Sequence, residues 1–366
     1  MLHIKQIRLL VIRSALLFPA VAALGWGAAH RESISAEPPP APTATVPPGP
    51  VSVYFSRPQA FDGEYAGGPD EALARGIDGA ARSIDIASYD FDLLSVARAL
   101  LRAKGRGVAV RIVVDTDNWK NEALDFLRGE GIPVVGDGRE GLMHDKFVVI
   151  DGAEVWAGSM NLTVNDAYRN DNNLLRIRSA ELAEIFTAEF EEMFLARRFG
   201  PSSPSGKPAA GVETEAGTIE ALFAPEDSVA ARVIREIRAA RTSIRFLAFS
   251  FTSGPIAAAM LDRVPDGLAL FGVLEGTQVR SNTGAQFGAL AAGGATVFLD
   301  ANPRNMHHKV IILDGRIVIT GSYNFTQSAE NKNDEDLLIF HNLELAGAFE
   351  AEFRRVFDRA AGAVNP

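Results

Sequence analysis

Two stretches of this sequence concentrate side chains able to handle a phosphoryl group. "HDKFVVIDGAEVWAGSMN" runs from His144 to Asn161 and matches "HHKVIILDGRIVITGSYN", His307 to Asn324, without a gap at an offset of 163. Held in register are His144/His307, Lys146/Lys309, Asp151/Asp314, Ser159/Ser322 and Asn161/Asn324. Histidine and lysine stand two apart, so on a strand they share one face. If the copies face each other, ammonium and amide groups supply donors for phosphate oxygens, with an imidazole on either side of phosphorus. Paired imidazoles can divide the work, one as nucleophile and the other as general acid and then base. Histidine suits both roles because its pKa lies near working pH. In the doubled "HH", His307 aligns with His144, while His308 takes the place of Asp145 and turns away from Lys309. His308 is therefore expected to be a bystander.

The repeat extends to the elements that must hold these groups. "LTVNDAYRNDNNLLRI" continues against "FTQSAENKNDEDLLIF", and "AEFEEMF" from Ala188 against "AEFRRVF" from Ala351. Upstream, "ARSIDIASYDF" pairs with "RTSIRFLAFSF" at an offset of 160. Each half shows a helical run (71–82; 230–240), an apolar strand (84–89; 244–249), a second helix (93–104; 255–263) and another strand (108–114; 268–273). A hairpin follows, marked by an Asp-Gly turn. The closing helix carries Phe186, Phe190 and Phe194, echoed by Phe349, Phe353 and Phe357. That spacing predicts packing onto the sheet rather than the lining of a lipid groove. The alternation predicts an α/β fold: two similar α/β/α sandwich halves with mixed sheets, related by a pseudo-twofold axis. The expected divisions are a first half at 51–202, a linker at 203–216 containing "SPSGKPAAG", and a second half at 217–366.

The pattern His-x-Lys, four residues, Asp, six residues, Gly-Ser-x-Asn resembles the signature of the phospholipase D superfamily, present here twice. The resemblance implies a metal-independent phosphodiesterase that needs no cofactor and works through a phosphohistidine. It also implies that both motifs build one site within one chain, so a monomer suffices. His144 and His307 take the nucleophile and acid/base positions. Lys146, Lys309, Asn161 and Asn324 take the phosphate-binding positions, with Ser159 and Ser322 supporting. Asp151 and Asp314 are structural: each opens a turn roughly 17 Å from its histidine along an extended strand. The family's orienting acid lies downstream of Gly-Ser and often reaches across to the other half's histidine. Glu335, 14 residues after Gly321, fits; its counterpart, Asn172, is a neutral orienting group, and Asp171 is out of register. A crossed arrangement makes His144 the nucleophile and His307 the acid, and an uncrossed one reverses them.

Composition bounds the setting. There are no cysteines, which excludes disulfides, thiolate metal sites, a catalytic thiol and lipobox anchoring. His3, His30 and His341 have no partner at metal-ligand spacing, so no metal site is expected. Lys5, Arg8 and Arg13 precede an uncharged run from Ser14 to Ala29, the pattern of a signal peptide or N-terminal anchor at 1–29. The run is short for a membrane span of roughly 20 residues. A Pro-rich linker at 30–50 follows, "EPPPAPTATVPPGP" within it. Export is therefore expected, to the periplasm or outside the cell. The net charge is −10 overall, and lies near −13 once the basic first 36 residues are set aside. Such a surface repels polyanions on average.

The leading expectation is an exported enzyme that hydrolyses phospholipid head-group phosphodiesters at a membrane. The second is a metal-independent nonspecific endonuclease, with Lys120, Arg139, Arg169 and Arg304 as a local basic rim toward nucleic acid. The third is a non-catalytic phosphate- or lipid-binding protein. Family membership alone does not choose the substrate.

Overall fold

The computed structural model describes residues 49–59, 65–204 and 211–364. The expected signal or anchor segment, most of the Pro-rich tether and the middle of the inter-half linker lie outside the described residues. Among those described, no helix is long and apolar enough to cross a membrane.

The first half builds one sheet from β1 (Val51–Phe55), β2 (Ser83–Ser88), β3 (Ala109–Val114), β4 (Val134–Gly136), β5 (Lys146–Ile150), β6 (Glu154–Gly158) and β7 (Asn173–Arg178). Their order across the sheet is β1-β7-β6-β5-β2-β3-β4. The second half contributes β8 (Val212–Thr214), β9 (Gly217–Ala224), β10 (Ser243–Ala248), β11 (Ala269–Leu274), β12 (Thr296–Leu299), β13 (Lys309–Leu313), β14 (Ile317–Gly321) and β15 (Glu335–His341). Its order is β12-β11-β10-β13-β14-β15-β9-β8. Both sheets are mixed: β2-β3-β4 and β10-β11-β12 run parallel, and the other neighbours antiparallel. The short strand β8 lies inside the stretch expected to be linker, where it pairs with β9.

Central position explains the apolar runs. β5 and β13 are flanked on both edges and buried at all five residues, so "FVVI" and "VIIL" follow the lysines without polar alternation. Each motif hairpin turns on Asp-Gly with positive φ at both residues (56° and 59° at Asp151 and Gly152; 53° and 62° at Asp314 and Gly315), as a primed turn requires. β1, β4, β7, β9 and β12 are additional to the pattern legible in sequence, whereas a strand ending before His341 was expected and is β15. β15 opens on Glu335 and Asp336, whose carboxyls mask an otherwise apolar strand.

Helices cover the outer faces of both sheets, and a shared core lies between them. Helices Ala180–Phe194 and Leu343–Val364 fill that middle layer. Phe186, Phe190, Phe349 and Phe353 are buried there, with Phe194 and Phe357 packed against them. Phe186 meets Phe223 of β9 edge-on at 5.2 Å, and Phe55 of β1 meets Phe349 at 5.1 Å, so each half inserts an aromatic into the other.

Candidate active site

The halves meet along a backbone seam. Met143 bridges Asp334 in parallel, and Met306 bridges Asp171 in the same way. His144 N donates to Asp334 O at 2.9 Å, and His307 N to Asp171 O at 2.9 Å. The residue before each motif histidine therefore lies beside the segment that follows Gly-Ser in the opposite half. That pairing crosses the side chains.

Glu335 Oε2 stands 2.6 Å from His144 Nδ1. The carboxylate also accepts from Ser322 Oγ at 2.7 Å and Asn333 Nδ2 at 3.0 Å. In the other arm, His307 Nδ1 lies 2.9 Å from Asn172 Oδ1, which accepts from Ser159 Oγ at 2.9 Å as well. An amide oxygen only accepts, so His307 carries its hydrogen on Nδ1. With both Nδ1 atoms occupied, the Nε2 atoms are left for a groove of about 670 Å³. Both histidines line it, together with Tyr89, Phe249, Asn161 and Asn324.

Burial dominates the electrostatics. It pushes His144 well below the ordinary histidine range, and the Lys146 and Lys309 ammoniums push the same way. His307 is lowered too, by burial and Lys309, against the pull of Asp166. Burial raises Glu335 to about 7 despite Lys146, Asn333 and Ser322. Burial thus favours a neutral imidazole at His144 and raises the carboxyl group that faces it. Lys146 and Lys309 are lowered by burial. Their ammoniums donate to the carbonyls of His144 at 2.7 Å and His307 at 2.8 Å.

The structure brings His144, His307, Lys146, Lys309, Asn161, Asn324, Asn172 and Glu335 to one place. The serines need correcting. Ser159 and Ser322 were expected to support phosphate binding, yet both are fully buried and give their hydroxyl hydrogens to Asn172 and Glu335. Close approach of neighbouring strands causes this: Ser159 N bonds Asn173 O at 3.1 Å, and Ser322 N bonds Asp336 O at 2.9 Å. It also accounts for the preceding glycine, since a Cβ on Gly158 would lie 2.5 Å from Asn173 O. Asp151 and Asp314 stand at the far turns. Their carboxylates accept from the backbone of Ala81, Arg82 and Ser83, and of Arg241, Thr242 and Ser243. Asp171 is occupied by Arg355 and Arg359.

His308 also needs correcting. It faces away from the groove but is not idle: it is fully buried, with Nε2 3.1 Å from Glu352 Oε1 and Nδ1 3.1 Å from Asn173 Nδ2. None of the four cations expected as a basic rim lines the groove. Arg139 is tied to Asp334, and Arg169 to Tyr65 and Asn165.

Two features of the site escape motif reading. Tyr89 and Phe249, register mates at the ends of β2 and β10, set their rings 5.0 Å from His144 and 4.5 Å from His307. The same rings lie 5.3 Å from Lys146 Nζ and 4.9 Å from Lys309 Nζ, in cation–π range. Their shared position in the repeat was the available signal. Asp166, with its carboxylate 3.5 Å from His307 Nδ1, has no matching acid in the other half and so left no repeat signal.

A family model described as "Cardiolipin synthase, PLD-like domain" matches residues 73–194 and 233–357. The mitochondrial cardiolipin hydrolase of Xenopus tropicalis is 34% identical over 126 residues, covering 34% of this chain and 59% of that protein. A phospholipase D of Rickettsia conorii is 36% identical over 116 residues, covering 31% and 58%. The chain thus spans less than two thirds of these curated relatives. The solved phosphatidylserine synthase of Haemophilus influenzae superposes with a TM-score of 0.60 over 78% of this chain and 84% of that one. At 15% identity that likeness concerns the fold alone.

Proposed function

This chain belongs to the phospholipase D-like domain family, and on that premise we propose that it hydrolyses phospholipid head-group phosphodiesters through a phosphohistidine. One observation carries the reading: a histidine paired with a carboxylate and a histidine paired with an amide share one groove. In this scheme His144 holds its hydrogen on Nδ1 toward Glu335, so the Nε2 lone pair attacks phosphorus. The carboxylate stabilises the positive charge that develops on the ring. The bond from phosphorus to the leaving oxygen breaks as that oxygen takes the Nε2 proton of His307, which the anionic phosphodiester holds as the imidazolium for this step, its Nδ1 hydrogen staying on Asn172. Neutral His307 then removes a proton from water, which attacks the phosphohistidine and releases His144. Lys146, Lys309, Asn161 and Asn324 offset the charge on the phosphoryl oxygens.

Three observations favour a lipid substrate. The named relatives include a cardiolipin hydrolase and a phospholipase D. The net charge is negative, and none of Lys120, Arg139, Arg169 and Arg304, the cations of a basic rim toward nucleic acid, lines the groove. Export, to the periplasm or beyond, belongs to the same proposal and is supported by the basic then apolar start of the sequence. The test incubates the full-length protein and its His144→Ala variant, in EDTA, with vesicles of cardiolipin and phosphatidylcholine or with plasmid. Release of phosphatidate with phosphatidylglycerol or choline by the wild type alone supports the proposal. Nicked plasmid with intact lipid would move the substrate to nucleic acid, and binding without turnover would remove the enzyme reading.

A further inference from the structure

The two arms of the site differ in their acids. Glu335 touches His144, but its register mate beside His307 is the uncharged Asn172. An imidazole that becomes positively charged in a buried site needs a nearby anion. Asp166 stands where one is missing. Its Oδ2 is 3.5 Å from His307 Nδ1, its side chain is buried, and its register mate 163 residues on is Ala329. Thus the half that lacks an acid at 172 has one at 166, and the half with Glu335 has none at 329.

The carboxylate is built to stay ionised. Oδ2 accepts from Asn161 N and Asn161 Nδ2, both at 2.7 Å, and Oδ1 accepts from Asn170 Nδ2 at 2.5 Å. Burial alone raises its pKa, but His307, Asn170, Asn161 and Lys309 outweigh that and leave it below the usual aspartate value. Asn161 also lines the groove, so one carboxylate fixes both a phosphate-facing amide and the charge beside His307. Other charged groups around the pair are Lys309, Lys146 and His144 on the His307 side, and Asp90 and Asp92 beyond Asp166.

We propose that Asp166 is the counter-ion of His307, a relocated carboxylate that stabilises its imidazolium while Asn172 sets the tautomer. This makes Asp166 a positioning residue, and the assignment rests on His307 acting as the general acid of the proposed reaction. Removing the anion weakens proton retention on His307, so the alkaline limb of the rate profile should move to lower pH.

The test compares wild type, Asp166→Asn, Asp166→Ala (the residue of the other half) and the double variant Asp166→Asn/Asn172→Asp. Each full-length protein is assayed on a p-nitrophenyl phosphodiester and on the corresponding phenyl ester, whose leaving group needs protonation more. The expected result is a kcat loss of about 10²-fold on the phenyl ester, of the size general-acid assistance provides. The loss should be smaller on the p-nitrophenyl ester, and the alkaline limb should shift to lower pH. The double variant, which returns a carboxylate to His307 from the other side, should regain the limb and most of kcat. Equal losses on both esters with an unmoved limb, or no rescue, would overturn the inference; Asp166→Ala decides if Asp166→Asn does not fold. Failure of the wild type to cleave either ester would instead bring down the phosphodiesterase reading itself.

Discussion

Glu335 and His144 lie 191 positions apart in the chain, yet Glu335 Oε2 sits 2.6 Å from His144 Nδ1. The contact follows from backbone pairing of Met143 with Asp334, which sets the next residue of each strand side by side. The equivalent pairing of Met306 with Asp171 delivers Asn172 to His307. A shared backbone device thus gives one histidine a charged partner and the other a neutral one.

From this asymmetry His144 is the residue that should carry the phosphoryl group. Rapid acid quench during turnover, followed by peptide mapping, should place phosphate on His144. Label on His307 would reverse the two roles. His144→Ala and His307→Ala should each lower kcat by at least about 10³-fold, as expected for removal of a nucleophile or its acid partner.

The acid side of the rate profile should belong to Glu335. Its folded pKa is raised to about 7, chiefly by burial. As pH falls through that value the carboxylate takes up a proton and no longer supports charge on His144. kcat/KM should therefore decline below about pH 7, and Glu335→Gln should lower kcat and abolish that limb. A limb that survives in Glu335→Gln assigns it to another group.

Stability should depend on the acids behind the site. Among the described residues, both oxygens of Asp145 are buried without a hydrogen-bond partner. Burial raises Asp145, and raises Asp336 and Glu226 to about 7 each. Folded values above unfolded ones mean the native state binds more protons between the ordinary carboxylate range and about pH 7. Stability from Asp336 and Glu226 is present at low pH and lost as pH rises through about 7, and that from Asp145 is lost in the same direction. Asp145→Asn should raise stability at pH 8 by about 1–3 kcal/mol, with little gain at pH 5. Thermal melts at the two pH values check this, and an equal change at both refutes it.

His308 should matter for stability rather than turnover. His308→Ala leaves the buried Glu352 without its imidazole, although Arg57 and Arg355 still hold the carboxylate. A loss of about 1–3 kcal/mol is expected, with kcat within a few-fold of wild type at a temperature where the variant is folded. Unchanged melting, or turnover as low as in His307→Ala, would contradict this.

Much of the fold was legible because its signals are local. Period-2 spacing set histidine and lysine on one face, Asp-Gly marked both hairpins, and Phe186, Phe190 and Phe194 marked the closing helix. The start of β15 was harder to read because Glu335 and Asp336 open it, and those carboxyls serve the site rather than the strand's apolar pattern. The serines misled for a related reason. Their place in the motif suggests phosphate, whereas their hydroxyls orient the groups that hold the histidines.

By itself the sequence determined the donor set, its duplication and the register that singles out His307 over His308. It did so because spacing along a strand dictates which side chains share a face. Only the tertiary structure decided that Glu335 serves His144, that Asn172 serves His307, and that Asp166 stands beside the uncharged pair. Those contacts depend on how two backbones pair across the seam between halves, and no spacing within either half encodes that pairing.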